Sequence, residues 1–287
     1  MRGGALECLC LSVLALACGR TALIVGDGSD SEVGGGETNV TTGGQGGASD
    51  AVTGPSSGAG GQGGTVASGG SGGVPESVIG YVQSRTHLYA LFGDLEPVLI
   101  GPLDGCVGDA LDIAVDEVGT LFVSAPAGLY RVDPANASCS LISHGSYPNG
   151  LTVISPGNPH PLELVGVNTT TYERIDKLSG ATSTLGTLGT TEFYSSGDLA
   201  LHNARMYLAI SGGSCFDCLA EIDRQTGALV KNIGPIGFAK VFGLMSYDGF
   251  LFGFTNAGQI LTIDVTTGAG TLVNEFPIEF WGAARHP

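Results

Sequence analysis

The chain has 287 residues and a formal net charge of −16, with 11 Lys and Arg against 27 Asp and Glu. That length holds one large domain or two small ones. So few cations exclude a nucleic-acid binder, which needs a basic footprint to displace counterions from phosphate, and they exclude electrostatic docking on anionic lipid.

The first 17 residues read as an export signal. "MRGGALECLCLSVLALAC" has Arg2 near its start, a short apolar run and small residues before Cys18. The run from Leu9 to Ala17 is too short to span a bilayer, which takes about 20 apolar residues. Its end, "LALAC", resembles the lipobox of bacterial lipoproteins. That resemblance implies cleavage before Cys18 and lipid attachment to it. The lipobox favours Leu three positions before the Cys and a small residue two before, where this chain has Ala15 and Leu16. Ordinary signal cleavage is the alternative. Cys8 and Cys10 fall inside the signal and need no role.

Residues 18–76 read as a tether. The stretch 34–73 is rich in Gly, Ser and Thr and nearly free of large apolar side chains. It cannot bury enough surface to offset the ordering of its backbone, so a flexible coil is expected.

From residue 77 the pattern changes to short alternating apolar runs, the mark of half-buried strands. Three such runs come first: 78–83, 87–92 and 96–101. A phrase then recurs four times: "VDPANAS" (132–138), "IDKLSGA" (175–181), "IDRQTGA" (222–228) and "IDVTTGA" (263–269). Asp133, Asp176, Asp223 and Asp264 are 43, 47 and 41 residues apart. That is the period of a four-stranded propeller blade. Asp starts a turn by accepting from backbone amides two residues on, and Gly four positions later closes a hairpin in the left-handed conformation. Ala137 replaces that Gly in the first copy, so that turn is expected to be the least regular. The four Asp are read as turn formers rather than catalytic groups. Each phrase is preceded by an inner run (111–116, 151–155, 199–203, 243–248) and a second run (121–125, 162–167, 206–210, 250–255), and is followed by an outer one. The 78–101 segment lacks an inner run, and the tail "FWGAARH" (280–286) is an inner run with nothing after it.

The fold expected is therefore all-β: a five-bladed β-propeller over 77–287 in which the N- and C-terminal strands complete one blade. Alternatives are a six-bladed ring with one irregular blade, or a β-sandwich. The Asp-x-x-Thr-Gly phrase resembles the repeats of bacterial propellers, including quinoprotein-like and surface-layer types. This resemblance implies the fold and no ligand.

Candidate sites follow from the connections between blades. Tyr147, Phe193, Tyr194, Phe238, Phe242, Phe276, Phe280 and Trp281 would crowd one face. An aromatic face stacks on a sugar or an extended peptide, with Asn149, Glu192 and Lys240 supplying polar contacts; packing between blades is the competing reading. Cys106, Cys139, Cys215 and Cys218 allow three disulfide pairings. "CFDC", placed in a loop between second and third strands, is read as a Cys215–Cys218 staple, because a structural zinc site needs a second such pair. Pairing of Cys106 with Cys139 stays open. His87, His144, His160, His202 and His286 are scattered singly and make no metal site. His202 and Asn203, with Asp116, Ser155, Asp248 and Arg285, would form a polar ring at the inner hairpins, read first as solvated turns. Asp104, Asp109 and Asp112 lack the alternation calcium prefers.

The function expected is an exported, lipid-anchored, monomeric binding or scaffolding head at the bacterial cell envelope. It takes a carbohydrate or a peptide or protein ligand, uses no cofactor or metal, and meets the membrane through its N-terminal lipid only. The rival is a propeller lyase or glycosidase acting on extracytoplasmic polysaccharide, for which Glu192, Asp109 and His144 are the nearby groups. A third reading, a structural surface protein with no small ligand, predicts a plugged channel and no pocket.

Overall fold

The computed structural model describes residues 77–155 and 162–287. The expected signal, Cys18, the tether and His160 lie outside them. The described residues form 20 strands in five four-stranded antiparallel sheets, the blades of a five-bladed propeller. Blade 1 joins Gly80–Gln83 (β1), His87–Leu91 (β2) and Pro97–Pro102 (β3) to Gly282–Arg285 (β20). Blade 2 is Asp112–Val115 (β4), Leu121–Ala125 (β5), Gly128–Val132 (β6) and Cys139–His144 (β7). Blade 3 is Gly150–Ile154 (β8), Glu163–Asn168 (β9), Thr171–Ile175 (β10) and Thr182–Thr187 (β11). Blade 4 is Phe193–His202 (β12), Arg205–Gly212 (β13), Cys215–Ile222 (β14) and Leu229–Pro235 (β15). Blade 5 is Val241–Tyr247 (β16), Phe250–Thr255 (β17), Gln259–Ile263 (β18) and Gly270–Glu275 (β19).

The tail closes the ring as its sequence implied. β20 pairs with β1, Gly80 opposite Arg285 and Gln83 opposite Gly282. The five inner strands then contact one another in a circle: β20, β4, β8, β12, β16 and back to β20. Below, "upper face" means the side where inner strands begin, and "lower face" the side of their hairpins.

The core lies between blades rather than within one sheet. Five apolar clusters fill the five interfaces. Each outer strand carries a bulge opposite the third strand, and the extra residue is apolar every time: Ile100, Ile142, Leu185, Ile233 and Val273. A bulge swings one side chain out of the alternation. Ile100, Ile142, Leu185 and Ile233 thereby reach the clusters between their own blade and the next. Val273 remains 48% exposed. The blade after it is blade 1, whose outer turn at 92–96 is short and lacks the repeated phrase.

The repeated phrase does two jobs. In Asp176, Asp223 and Asp264 the carboxylate accepts from backbone amides two or three residues on and from a Ser or Thr hydroxyl. Those bonds hold the three carboxyls below the usual range. The residue after the turn then reaches the preceding blade: Cys139 N–H donates to Asp104 O at 2.6 Å, Leu229 to Leu188 at 3.0 Å and Gly270 to Ile236 at 2.8 Å. Gly227 (φ 71) sits against Tyr172 of the preceding blade, where any Cβ would strike the ring.

Two expectations need correction. The Ala137 turn keeps the same backbone bonds as the others, with Ala137 at φ 61 in the left-handed region. Its irregularity is confined to side-chain bonding, since Asp133 holds a single amide, that of Ala135. "CFDC" is not in a loop. The β13–β14 hairpin turns tightly after Gly212, so Cys215–Cys218 opens strand β14.

Candidate functional site

The first residue of each inner strand that faces the axis forms one layer: Asp112, Gly150, Asp198, Gly243 and Gly282. Asp112 and Asp198 are fully buried within it. The three glycines leave the room they occupy: a Cβ on Gly282 would overlap Asp112 Oδ1.

An inner strand has a sheet partner on one side only, so alternate N–H groups point at the axis. The two carboxyls collect such groups from three blades. Asp112 accepts from Leu151. Asp198 accepts from Leu199 at 2.6 Å and Leu244 at 2.8 Å, and the Ile113 and Ala283 amides also favour the charged carboxylates. Burial raises both carboxyls well above the usual range, and the charge of Asp198 raises Asp112 further. Asp112 Oδ1 has no hydrogen-bond partner among the described residues. The layer is a plug that closes the channel from above and ties five blades together.

Below the plug is a cavity of about 330 Å³, open toward the lower face. All five inner strands line it, through Ala114, Leu151, Thr152, Ala200, Leu244 and Ala283 among others. Its mouth carries Asp116, Glu117, Ser246 and Arg285. Lys177 Nζ bridges Asp116 and Glu117, 3.2 Å from each. Burial pushes the Asp116 carboxyl up, but the Thr120 amide and Lys177 outweigh it and leave it below the usual range. Ser246 Oγ lies 2.9 Å from His202 Nδ1, and Asn203 lies against the other ring nitrogen. Burial lowers the His202 pKa, so the imidazole is neutral at pH 7. Part of the expected polar ring is thus real: Asp116, Arg285 and His202 meet at or behind the mouth. Asp248 stays exposed in its turn.

The aromatic face is more dispersed than its sequence implied. Tyr147 is buried and donates to Gly180 O at 2.7 Å in the next blade's turn. Phe238 packs against the cluster between blades 4 and 5, and Phe193 against that between blades 3 and 4. Tyr194 is 47% exposed; Glu192 and Lys240 are exposed and Asn149 half-buried on separate connections. Only Trp281 and Phe242 form a pair, 5.2 Å between ring centroids, with the Arg85 guanidinium 4.3 Å from the Trp281 ring. Arg85 also reaches Asp109 at 3.4 Å. His144 Nδ1 faces Ala127 O at 3.3 Å. No hydrogen bond or ion pair joins Glu192, Asp109 and His144 among the described residues, whose three connections are separate.

Cys106 and Cys139 are bonded, with Cα atoms 5.2 Å apart. The pairing that spacing left open is set by the latch from Cys139 to Asp104, which lays one connection across the outer strand. The Cys215 and Cys218 sulfurs are also at bonding distance, Cα atoms 5.9 Å apart. Among the described residues no three His, Cys, Asp or Glu side chains gather as a metal requires.

Sequence reasoning treated Asp112 only as a weak calcium ligand and passed over Asp198. Their signal was present in the alignment of inner strands, which reads Asp, Gly, Asp, Gly, Gly in a column where apolar residues follow.

No protein-family model matches the chain, and no curated protein matches it. Among solved structures it is similar to a protein of unknown function from Bacteroides caccae, at 12% identity over 73% of this chain and 99% of that one, TM-score 0.43. It is similar to a chain of a nidogen/laminin complex at 13% identity over 73% of this chain and 85% of that one, TM-score 0.45. It is also similar to a gluconolactonase from Xanthomonas campestris at 13% identity over 72% of this chain and 80% of that one, TM-score 0.46. None of these likenesses assigns a ligand to this chain.

Proposed function

We propose that the protein is a binding module worn outside the cytoplasm, held there by a lipid on Cys18 and a Gly-rich tether, with its ligand seated in the channel below the plug. The blind channel is the observation that supports this reading. It is concave, mostly apolar and carries a few fixed polar groups at its mouth, which are the properties of a small-ligand site. Hydrolysis of a glycoside needs two carboxyl groups about 5–10 Å apart with the sugar between them. Asp112 and Asp198 touch and are sealed from solvent, so they serve the ring rather than a substrate.

Screening the full chain by thermal shift against sugars, short peptides and small organic acids tests the site. Thr152→Phe at the cavity wall is expected to abolish a ligand's stabilisation, while Trp281→Ala on the upper face leaves it intact. The reverse pattern would move binding to the aromatic face. Mass spectrometry of the mature N-terminus tests the anchor, with an acylated Cys18 expected and an unmodified terminus at any other residue counting against it.

A further inference from the structure

We propose that the channel selects a carboxylate at the end of a slender apolar chain, gripped by a second ring of backbone amides one layer below the plug. This deepens the reading of the channel as the binding site and rests on it. The upper layer shows what the geometry can do: axial N–H groups of three inner strands, those of Leu151, Leu199 and Leu244, are met by two buried carboxyls. Antiparallel pairing repeats every two residues. The next axial amides are therefore Val115, Val153, Leu201, Ser246 and Arg285, as the pairing registers of the five inner strands require. None of the five donates to a backbone carbonyl in any turn, loop or neighbouring blade, or to any side chain, among the described residues. All five residues line the cavity.

The chain's carboxyls serve the first ring and not the second. The same five residues turn their carbonyls to the axis as well; an acceptor at the level of the amides meets the donors, and Arg285 favours a charged one. Arg285 stands at the mouth with no ion pair among the described residues. The other cation there, Lys177, is already shared between Asp116 and Glu117. The plug's carboxyls stand about 7 Å above the ring, two residues along a strand. An anion held at the ring gains from Arg285 at the mouth. Between the two layers lie Ala114, Thr152, Ala200, Met245 and Ala284, small or apolar apart from one threonine, which suit a narrow hydrocarbon.

The test is titration of the ¹⁵N-labelled full chain with butyrate and with butyramide, following amide shifts. Butyrate is expected to move the amides of Val115, Val153, Leu201, Ser246 and Arg285 together and saturably. Butyramide should bind at least tenfold more weakly, and Arg285→Gln should weaken butyrate about tenfold, the loss of one charge-assisted hydrogen bond. An acetylated dipeptide acid and its amide form the second pair. If the acid binds and butyrate does not, the carboxylate comes from a peptide terminus and the inference holds. Equal shifts from butyrate and butyramide overturn it while leaving channel binding intact. No saturable movement of these amides with any acid overturns it, whatever ligand the thermal screen finds.

Discussion

Asp112 and Asp198 look interchangeable in sequence, but their surroundings make them opposites. Asp112 accepts an amide on Oδ2 and has no partner on Oδ1 among the described residues, whereas Asp198 accepts an amide on each oxygen. An Asn amide reproduces the first pattern and conflicts with the second. Asp112→Asn is expected to stay within about 1 kcal/mol of the native stability, whereas Asp198→Asn costs about 3 kcal/mol by setting an N–H against converging donors. Urea unfolding of the two variants checks this, and equal losses would refute the difference between the two sites. The pH dependence carries the same information. Both carboxyls are raised in the folded state, so the folded chain keeps protons that the unfolded one releases near pH 4. Their contribution is complete below that pH and drains away as the pH climbs through the raised values. The lowered turn carboxyls of Asp176, Asp223 and Asp264 act in the opposite sense, their stabilisation lost as pH falls. The difference between native and Asp112→Asn curves isolates the plug, and Asp112→Asn should lose stability less steeply as pH rises.

At the scale of elements, strand order and turn positions were legible because local chemistry repeats: Asp, then Gly four residues on, then an apolar run. The bulges were not legible. An apolar residue inside an exposed outer strand looks like ordinary alternation until the register on both sides is known, and register depends on the partner strand. Yet the bulged residue decides how a blade meets its neighbour. Ile233 reaches the cluster of Leu261 and Ile263 in the next blade, while Val273 faces the short turn of blade 1 and stays half exposed. Ile233→Ala is expected to cost about 1–2 kcal/mol and Val273→Ala less than about 0.5 kcal/mol. Comparison of denaturation midpoints decides it, and similar losses would mean the bulge has no packing role. The candidate site was hidden for a related reason. Its donors are backbone amides, which carry no residue signature, and most of the aromatics named from sequence, Tyr147, Phe193, Phe238, Phe276 and Phe280, pack between blades.

For the molecule as a whole, closure is the cooperative element. Removing residues 280–287 takes away β20, the buried Phe280 and the Ala283 amide that favours the charged Asp198 carboxylate. The interface between blades 5 and 1 then loses one side of its cluster. The shortened chain is expected to unfold without a sharp transition, as followed by near-ultraviolet circular dichroism. A sharp transition within a few degrees of the native one would show that four blades and a fragment suffice.

The pairing of β20 with β1 also sets a timetable. During synthesis the first blade must wait, incomplete, until nearly all the others have left the ribosome, so the ring cannot lock while the chain is still short. A polypeptide that stays unlocked until late is one that can be threaded through a narrow pore before it sets.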